Sequence, residues 1–411
     1  MNPDTAAAFS LLSAEAVRMR AQRMLALGLE DRLPNFRVDL SALDATAERV
    51  IATTRQAYPS LDIPFHSRWR HFVVDGVDRF QAIAAAARWP DRAARARAEF
   101  DLAIVSVFLD AGAGTQWRHR DAATGKSIGR SEGLALASLD MFARGVFSAD
   151  PNDPLRVDAT VLADLTAEQL AQGFQVTPDN PLVGLDGRAA LLRRLGALAS
   201  EKPDVFARHD SARPGRLFDH IVAVNGHDRL AAPQILSTLL LELGPIWPSR
   251  IELGGIPLGD CWRHSSIKTS DATNGLVPLH KLSQWLSYSL IEPLQRAGVT
   301  VTDIDGLTGL AEYRNGGLFV DSGVLSLRDP AQLARAHDAG SELVVEWRAL
   351  TVALLDRLAA TIRAKLNMNA ETLPLAKILE GGTWATGRVL AREKRPDGSP
   401  PITVTSDGTV F

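Results

Sequence analysis

The chain contains 411 residues, of which 46% are hydrophobic and 23% are charged. This is a globular composition and excludes a largely disordered chain. Its 45 basic and 48 acidic residues give a formal net charge of −3, which disfavours a large nucleic-acid-binding surface. A single cysteine, Cys261, excludes an internal disulfide and a multi-cysteine metal site.

No segment has the pattern of a secretory signal or a membrane span. The first residues include an acidic side chain where a signal peptide carries a basic cluster. The longest apolar stretches, at residues 235–244 and 342–355, are interrupted well short of the roughly 20 residues that cross a bilayer. We therefore expect a cytoplasmic protein that binds a small molecule, with neither nucleic acid nor membrane as a partner. The oligomeric state is left open.

Helical periodicity and helix-start residues predict that most of the chain is α-helical. The predicted helices cover residues 13–28, 41–57, 79–100 with a break at Pro90, a segment from Thr166, 187–200, 232–244, 275–297, a short helix from Asp329-Pro330, 341–367 and 375–393. Strand patterns are few and are limited to residues 298–304, 316–325 and a C-terminal hairpin around Asp407-Gly408.

These elements predict a mainly α protein with small β-hairpin additions. Strands and helices do not alternate, and neither a GxGxxG nor a P-loop pattern is present, which disfavours nucleotide-binding α/β folds. We expect one large helical unit over residues 1–411. A subdivision into an N-terminal part (1–150) and a main part (151–411) with a hairpin at about 400–411 is the alternative.

Four segments carry more polar and aromatic residues than core packing requires. They are residues 63–72, 110–142, 214–250 and 259–290. The first is read either as a surface loop held by arginine–carboxylate pairs or as a binding rim. In the second, Asp110 follows a buried apolar run, and Ser131 with Glu132 has the pattern of a helix N-cap and first turn.

The last segment contains a helix with two polar stripes. His280, Gln284 and Ser287 share one face, and Lys281, Trp285 and Tyr288 lie beside it. A solvated helix face seldom carries such a mixture, so the pattern predicts one wall of a polar pocket.

Common catalytic patterns are absent. The nine histidines form no HExxH pair, and no GxSxG elbow occurs. Cys261 alone is weak support for a nucleophile, because buried cysteines are common. A metal site is therefore unsupported but stays open, and the residue types present suit a carboxylate mechanism that needs no organic cofactor.

Six longer motifs resemble the uracil catabolism protein 4 family of fungi and bacteria. They are IPFHSRWRHF at 63–72, GRSEGLALASLDMF at 129–142, KLSQWLSYSLIEPL at 281–294, LTGLAEYRNGGLFVDSGVL at 307–325, EGGTWATGR at 380–388 and the terminal SDGTVF. The resemblance runs from about residue 13 to residue 411. It implies a role in a uracil degradation route in which ring opening leaves urea attached to ribose or ribose phosphate. The implied reaction cleaves that N-glycosidic bond and releases urea and a sugar.

A local stretch, HDRLAAPQIL at 227–236, is similar to an element of the queuosine salvage proteins, which hydrolyse queuosine 5′-phosphate to its base. The stretch carries one extra residue, so only Asp228 is carried over as a candidate. Both resemblances imply an α-helical fold akin to the helix-hairpin-helix DNA glycosylases.

The chemistry of N-glycosidic cleavage indicates which side chains to seek. Positive charge builds on the sugar in the transition state, and a buried carboxylate stabilises it, attacks it or activates water. Asp228 is our first candidate for this role, and Asp260 and Asp110 are the alternatives. The other candidates hold the sugar hydroxyls or urea (Glu132, Glu312), hold a 5′-phosphate (Lys281, Arg314), form apolar walls (Trp262, Trp285, Tyr313) or line the polar face (His280).

Two other functions stay open at this point. The chain could be a non-catalytic protein of the pathway, which binds a nucleotide-derived metabolite or scaffolds neighbouring enzymes. It could also be an amidohydrolase that acts on the ureido group, a reaction that usually needs a metal ion or an activated Cys or Ser. Convergence of the carboxylates and Lys281 in one place would favour the glycosidase.

Overall fold

The structure, a computed structural model, describes residues 2–110, 112–207, 211–247 and 251–405. This part of the chain is mainly helical, with short strand pairs between the helices, which confirms the predicted fold class. It forms two compact units. The first unit contains residues 2–66, 251–284 and 303–405; the second contains the described residues of 67–247 together with 285–302. Residue 150, the subdivision considered from the sequence, falls within the second unit.

A long helix, Glu342–Leu366, forms the centre of the first unit. Its buried residues lie on every side from Leu343 to Ile362, as expected for a helix enclosed by other elements. The helices Ala14–Leu29, Leu43–Ala57, Tyr313–Asp321 and Leu375–Ile378 pack against it. The unit also contains the helices Pro3–Ser10 and Trp384–Lys394 and the 3₁₀ turns Leu40–Ala42, Ile304–Gly306 and Pro330–Ala334.

Four short strand pairs join the loops of the first unit. Three are antiparallel: Phe36–Val38 with Leu325–Leu327, Glu252–Leu253 with Ile256–Pro257, and Cys261–Arg263 with Leu276–Pro278. The fourth, Ala336–Asp338 with Thr403–Thr405, is parallel. The last strand therefore pairs with a distant segment. The turn predicted at Asp407-Gly408 lies outside the described residues.

The second unit is built around the helix Arg92–Phe108, whose residues from Glu99 to Phe108 are all buried. The other helices are Arg79–Ala86, Arg130–Ala143, Ala159–Ala163, Ala167–Gly173, Leu185–Glu201, Pro203–Phe206, Leu217–Asn225 and Ala232–Glu242, with 3₁₀ turns at Arg68–Phe72, Pro214–Arg216 and Gly244–Ile246. Its strand pairs are Val73–Val74 with Val77–Asp78 and His119–Arg120 with Ser127–Ile128, both antiparallel, and Arg229–Ala231 with Thr300–Thr302, which is parallel. None of the described helices of either unit is long and apolar enough to cross a membrane.

The helix Lys281–Arg296 contributes its first four residues to the first unit and the rest to the second. The sequence predicts this helix from residue 275, but Leu276–Pro278 is a strand and the helix begins at Lys281. A run of two or three apolar residues fits both periodicities, so only the pairing with Cys261–Arg263 decides between them.

Two other local predictions are wrong. Most of the strand predicted at 316–325 is helix, Tyr313–Asp321. Gly316 permits close packing there, because a Cβ atom would lie 2.6 Å from the Trp347 ring.

The second wrong prediction is that Ser131 is the N-cap of its helix. The helix Arg130–Ala143 is preceded by Gly129 at the cap position, and the Ser131 hydroxyl is used elsewhere.

A π-helical segment, Leu379–Thr383, interrupts the predicted helix at 375–393. Such segments are rare and often occur at functional sites. Here two glycines set the segment directly against the helix Leu43–Ala57. A Cβ atom on Gly382 would lie 2.5 Å from Val50 Cγ1 and 2.9 Å from the Val50 carbonyl oxygen. This packing fixes the position of Glu380, which precedes both glycines.

We expect Gly382→Ala to lower the free energy of unfolding by about 1–3 kcal/mol, because the added methyl group has no room against Val50. Gly187→Ala is the matched control, since Gly187 also lies in a helix but has open space around it. The control is expected to be neutral or slightly stabilising. Urea denaturation of the three proteins tests this, and equal stability of the Gly382 variant and wild type would contradict it.

Candidate functional site

Asp260 is a predicted site residue with an extensive set of hydrogen bonds. Its carboxylate accepts two hydrogen bonds from Arg348, at 2.7 and 2.8 Å, and one from Trp262 Nε1 at 2.7 Å. The backbone N–H of Lys281 donates to it at 2.9 Å. The Asp260 carbonyl oxygen also accepts the N–H groups of Leu279 and His280. The carboxylate is therefore held in one orientation at the start of the helix Lys281–Arg296.

The surroundings of Asp260 keep it ionised. Burial by itself raises the pKa of this carboxyl group, but the charge and hydrogen bonds of Arg348 outweigh that effect and lower the pKa to about 2. Arg348 is itself buried and donates through Nε to the Ala311 carbonyl oxygen at 3.1 Å. One guanidinium group thus connects Asp260 to the turn that precedes Glu312.

Glu312 is a buried carboxyl group at the N-cap of the helix Tyr313–Asp321. Its oxygens accept the backbone N–H groups of Arg314 at 2.7 Å and Asn315 at 2.5 Å. Burial raises its pKa, and the two N–H groups and the charges of Lys281 and His66 only partly oppose this. The structure therefore shifts the pKa values of Asp260 and Glu312 in opposite directions.

A histidine–glutamate pair lies near Glu312, since the charge of its histidine, His66, acts on that carboxyl group. His66 Nδ1 is 2.8 Å from Glu380 Oε2, and Tyr58 donates to the same carboxylate at 3.5 Å. His66 is also fixed through its backbone N–H, which donates to the Ala376 carbonyl oxygen. A carboxylate on one ring nitrogen orients an imidazole and sets which nitrogen carries the proton.

These five side chains are called the Asp260 cluster below: Asp260, Lys281, Glu312, His66 and Glu380. All belong to the first unit. The cluster combines an ionised carboxylate, a carboxyl group of raised pKa, an oriented imidazole and a lysine. Charge stabilisation and proton transfer are the reactions that such a set performs.

The second unit contains another group of converging polar side chains, here called the Arg68 cluster: Arg68, His71, Asp110, Ser131, Glu132 and Trp285. Arg68 is fully buried and donates through Nη1 to Asp110 at 2.9 Å and through Nε to Ser106 at 2.6 Å. Ser131 Oγ donates to the Asp110 carboxylate. The carboxylate of Glu132 acts electrostatically on Arg68. The cluster therefore contains two of the predicted carboxylates, Asp110 and Glu132.

The remaining predicted residues have varied surroundings. Asp228 is exposed, in the bend before the strand Arg229–Ala231, and its carbonyl oxygen accepts the Thr300 N–H. His280 is buried, with a left-handed φ of 46° and a ring nitrogen 3.0 Å from the Leu11 carbonyl oxygen.

The aromatic candidates and Arg314 also have identifiable neighbours. Trp262 contacts Asp260 as described, and the Trp285 ring lies 5.5 Å from the Arg68 guanidinium carbon. Arg314 lies over the Tyr313 ring and donates to the Gly398 carbonyl oxygen at 2.9 Å. A role of any of these groups in binding substrate stays a prediction.

Sequence reasoning did not assign roles to three residues of the first unit. Arg348 lies in a helix whose buried residues are mostly apolar. A charged residue at a position that this pattern predicts to be buried was the signal that could have identified it. His66 and Glu380 lie in motifs that the sequence analysis singled out, but they are 314 positions apart in the chain. In the described residues, no three His, Cys, Asp or Glu side chains are placed to ligate one metal ion.

Comparison with known proteins assigns the chain to a family. A family described as "Protein of unknown function (DUF1688)" matches residues 10–411. The chain belongs to this family. The Protein urg3 of Schizosaccharomyces pombe is 41% identical over 421 residues and the whole of both chains. The Uracil catabolism protein 4 of Lachancea kluyveri is 37% identical over 411 residues, or 92% of each chain.

These relatives confirm the resemblance predicted from the motifs at 63–72, 129–142 and 281–294. The family match and the relatives cover nearly the whole chain. The matched region therefore includes residues of both units described above. The local similarity of residues 227–236 to the queuosine salvage proteins stays a prediction.

We expect Cys261 to be unreactive towards thiol reagents in the folded protein. Burial, followed by the nearby charge of Asp260, raises the pKa of this thiol to about 12, so almost no thiolate exists near neutral pH. Reaction with a chromogenic disulfide reagent at about pH 8 should therefore require denaturant. Stoichiometric reaction without unfolding would contradict this expectation, and Cys261 would then again be a candidate nucleophile.

Proposed function

We propose that this protein acts in uracil catabolism and hydrolyses the N-glycosidic bond between urea and ribose, or ribose 5-phosphate. The printed name of one relative, Uracil catabolism protein 4, supports the pathway. The chemistry is supported chiefly by one arrangement: Arg348 holds the ionised carboxylate of Asp260 and, through the Ala311 carbonyl oxygen, the turn that precedes the buried Glu312, whose pKa is shifted in the opposite direction. Two carboxyl groups whose surroundings separate their pKa values are typical of paired electrostatic and acid–base roles.

In this proposal Asp260 stabilises the sugar as the C1′–N bond breaks. The sugar gains positive charge in that step, and an ionised carboxylate near C1′ lowers the energy of the transition state. Arg348, Trp262 and the Lys281 N–H fix the carboxylate before substrate binds, so no reorientation is needed during the reaction. Fixed dipoles of this kind account for much of enzymatic rate enhancement.

Glu312 supplies the proton that urea needs to leave. A carboxyl group of raised pKa is partly protonated at higher pH than an exposed glutamate and can donate to the leaving nitrogen. The oriented His66, in its neutral form, then removes a proton from the water that attacks C1′. The products are urea and a sugar with a new hydroxyl group at C1′. The water oxygen and one of its protons stay on the sugar, and the proton taken up by His66 restores the one that Glu312 gave to the leaving nitrogen.

Lys281 is the candidate for binding a 5′-phosphate. Its backbone N–H donates to Asp260 and its charge acts on Glu312, so it interacts with both carboxyl groups of the cluster. A lysine ammonium group binds phosphate as a compact point charge.

We expect Asp260→Asn to lower kcat for ribosylurea, or its 5′-phosphate, by about 100-fold or more, because the charge opposite the sugar is lost. Released urea and ammonia are assayed separately with the purified protein. Ammonia without urea would replace the glycosidase by an amidohydrolase. An unchanged kcat would remove Asp260 from the mechanism.

Asp321→Asn is the matched control for the effect of breaking an ion pair. Asp321 is, like Asp260, half-buried in the first unit and forms a bidentate pair with Arg395, at 2.6 and 2.8 Å. Both substitutions should destabilise the fold, since each leaves a charged arginine without its partner, but only Asp260→Asn should remove turnover in the folded fraction.

Asp228→Asn tests the first candidate from the sequence. Loss of turnover in this variant, with activity kept in the Asp260 variant, would return the role to Asp228.

For Lys281→Ala we expect KM for the phosphorylated substrate to rise by about tenfold or more, with little change for the unphosphorylated one. Lys365→Ala is the control, because Lys365 pairs with Asp44 and Glu48 at the surface of the same unit. An equal change in KM for both substrates would show that Lys281 supports the structure of the cluster and does not bind phosphate.

A further inference from the structure

His280 has a backbone conformation that is unusual for a buried residue. Its φ is 46°, in the left-handed region that favours glycine. Eight non-glycine residues in the described part of the chain have a left-handed φ, and among these eight His280 is the one that is buried. The other seven are half-buried or exposed, as is common in surface turns. A strained residue inside a protein persists only where its surroundings hold it, and such residues cluster at functional sites.

The conformation of His280 turns three consecutive backbone N–H groups towards Asp260. The N–H groups of Leu279 and His280 donate to the Asp260 carbonyl oxygen at 2.9 and 3.1 Å. The next N–H group, that of Lys281, donates to the Asp260 carboxylate at 2.9 Å. The His280 carbonyl oxygen accepts the Gln284 N–H at 2.9 Å, in the first turn of the helix that begins at Lys281. An extended φ at His280 would turn the Lys281 N–H group away from the carboxylate.

The His280 ring holds this backbone in place. Its Nε2 atom donates to the Leu11 carbonyl oxygen at 3.0 Å. Burial lowers the pKa of the imidazole, so the ring is uncharged near neutral pH and the bond to Leu11 sets which nitrogen carries the proton. Leu11 follows the helix Pro3–Ser10, and carbonyl groups at the end of a helix have no partner within it. The N-terminal helix therefore supplies the acceptor that fixes His280.

We propose that His280 is a positioning residue for Asp260. Its left-handed backbone, held by the bond from the ring to Leu11, fixes the Lys281 N–H group against the Asp260 carboxylate. The effect on turnover rests on the proposed function, in which this carboxylate stabilises the sugar. His280 acts through its main chain and not through contact with substrate. The residue type tolerated at position 280 is therefore set by the backbone conformations that it can adopt.

Four substitutions separate a backbone role from a role of the imidazole: His280→Gly, His280→Asn, His280→Ala and His280→Val. All four remove the ring, but glycine adopts a left-handed φ freely, asparagine readily, alanine at a cost and valine least of all. We expect kcat for ribosylurea, or its 5′-phosphate, to fall in that order. The glycine variant should stay within about tenfold of wild type, and the valine variant should lose about 100-fold. KM should change less than kcat, because Asp260 acts on the transition state.

Hydrogen exchange of the Lys281 amide measures the positioning without any turnover. The chain contains seven lysines, and Lys281 is the one that follows a histidine. Labelling with ¹³C-carbonyl histidine and ¹⁵N-lysine therefore identifies its NMR signal in the wild type, and in the variants it is the lysine signal that differs. We expect His280→Gly to keep the protection of this amide, and His280→Val to lower it about tenfold or more relative to the other lysine amides.

Asn367 provides the matched control. It lies in the same unit, at the end of the central helix, with a left-handed φ of 52°, and it is exposed. Asn367→Gly and Asn367→Val should change stability towards urea in the same order as the His280 variants. They should leave kcat and the exchange of the Lys281 amide unchanged.

The proposal is overturned if His280→Gly and His280→Val lower the protection of the Lys281 amide equally, or if Asn367→Val lowers it as much as His280→Val does. It is also overturned if all four His280 variants lose kcat while this amide stays protected, because the imidazole would then take part in the reaction itself. If His280→Val does not fold, His280→Ala takes its place in the comparison. If the wild type releases no urea, the proposed function fails, and the exchange series still tests the positioning.

Discussion

The ion pair between Asp260 and Arg348 determines the geometry of the candidate site in the first unit. Arg348 projects from the central helix and, with one guanidinium group, binds both Asp260 oxygens and the Ala311 carbonyl oxygen. The start of the strand Cys261–Arg263 and the turn before the helix Tyr313–Asp321 are therefore both bonded to the Arg348 guanidinium group. The planar fork of arginine makes this possible, since a lysine could not bond three acceptors in fixed directions.

Burying such charges is unfavourable unless each is paired and hydrogen-bonded. The first unit meets this requirement repeatedly. Glu346, two residues before Arg348, is also fully buried and accepts the Phe36 N–H at 2.7 Å, and His264 lies 3.2 Å from its other oxygen. The central helix therefore carries two charged residues that connect it to loops. We infer that these pairs specify which loops pack against the helix, a task that its uniform apolar surface cannot perform.

Local signals in the sequence predicted the helices well. Ser13 caps the helix Ala14–Leu29, and Thr166 forms a capping box with Gln169, as their residue types indicate. The failures occur where a local pattern is ambiguous. The weak alternation of residues 316–325 suggested a strand, but Gly316 there serves close helix packing. The segment Leu276–Pro278 is too short for its periodicity to separate strand from helix.

For this protein the sequence by itself determined the mainly helical class, the family and the residue types available for chemistry. Only the tertiary structure decided which of them meet: Lys281 with Asp260 and Glu312, Arg68 with Asp110 and Glu132, and His66 with Glu380. The reason is physical. Helix formation depends on neighbours three or four positions apart, whereas the pKa of a carboxyl group depends on burial and on charges that distant parts of the chain bring within a few ångströms.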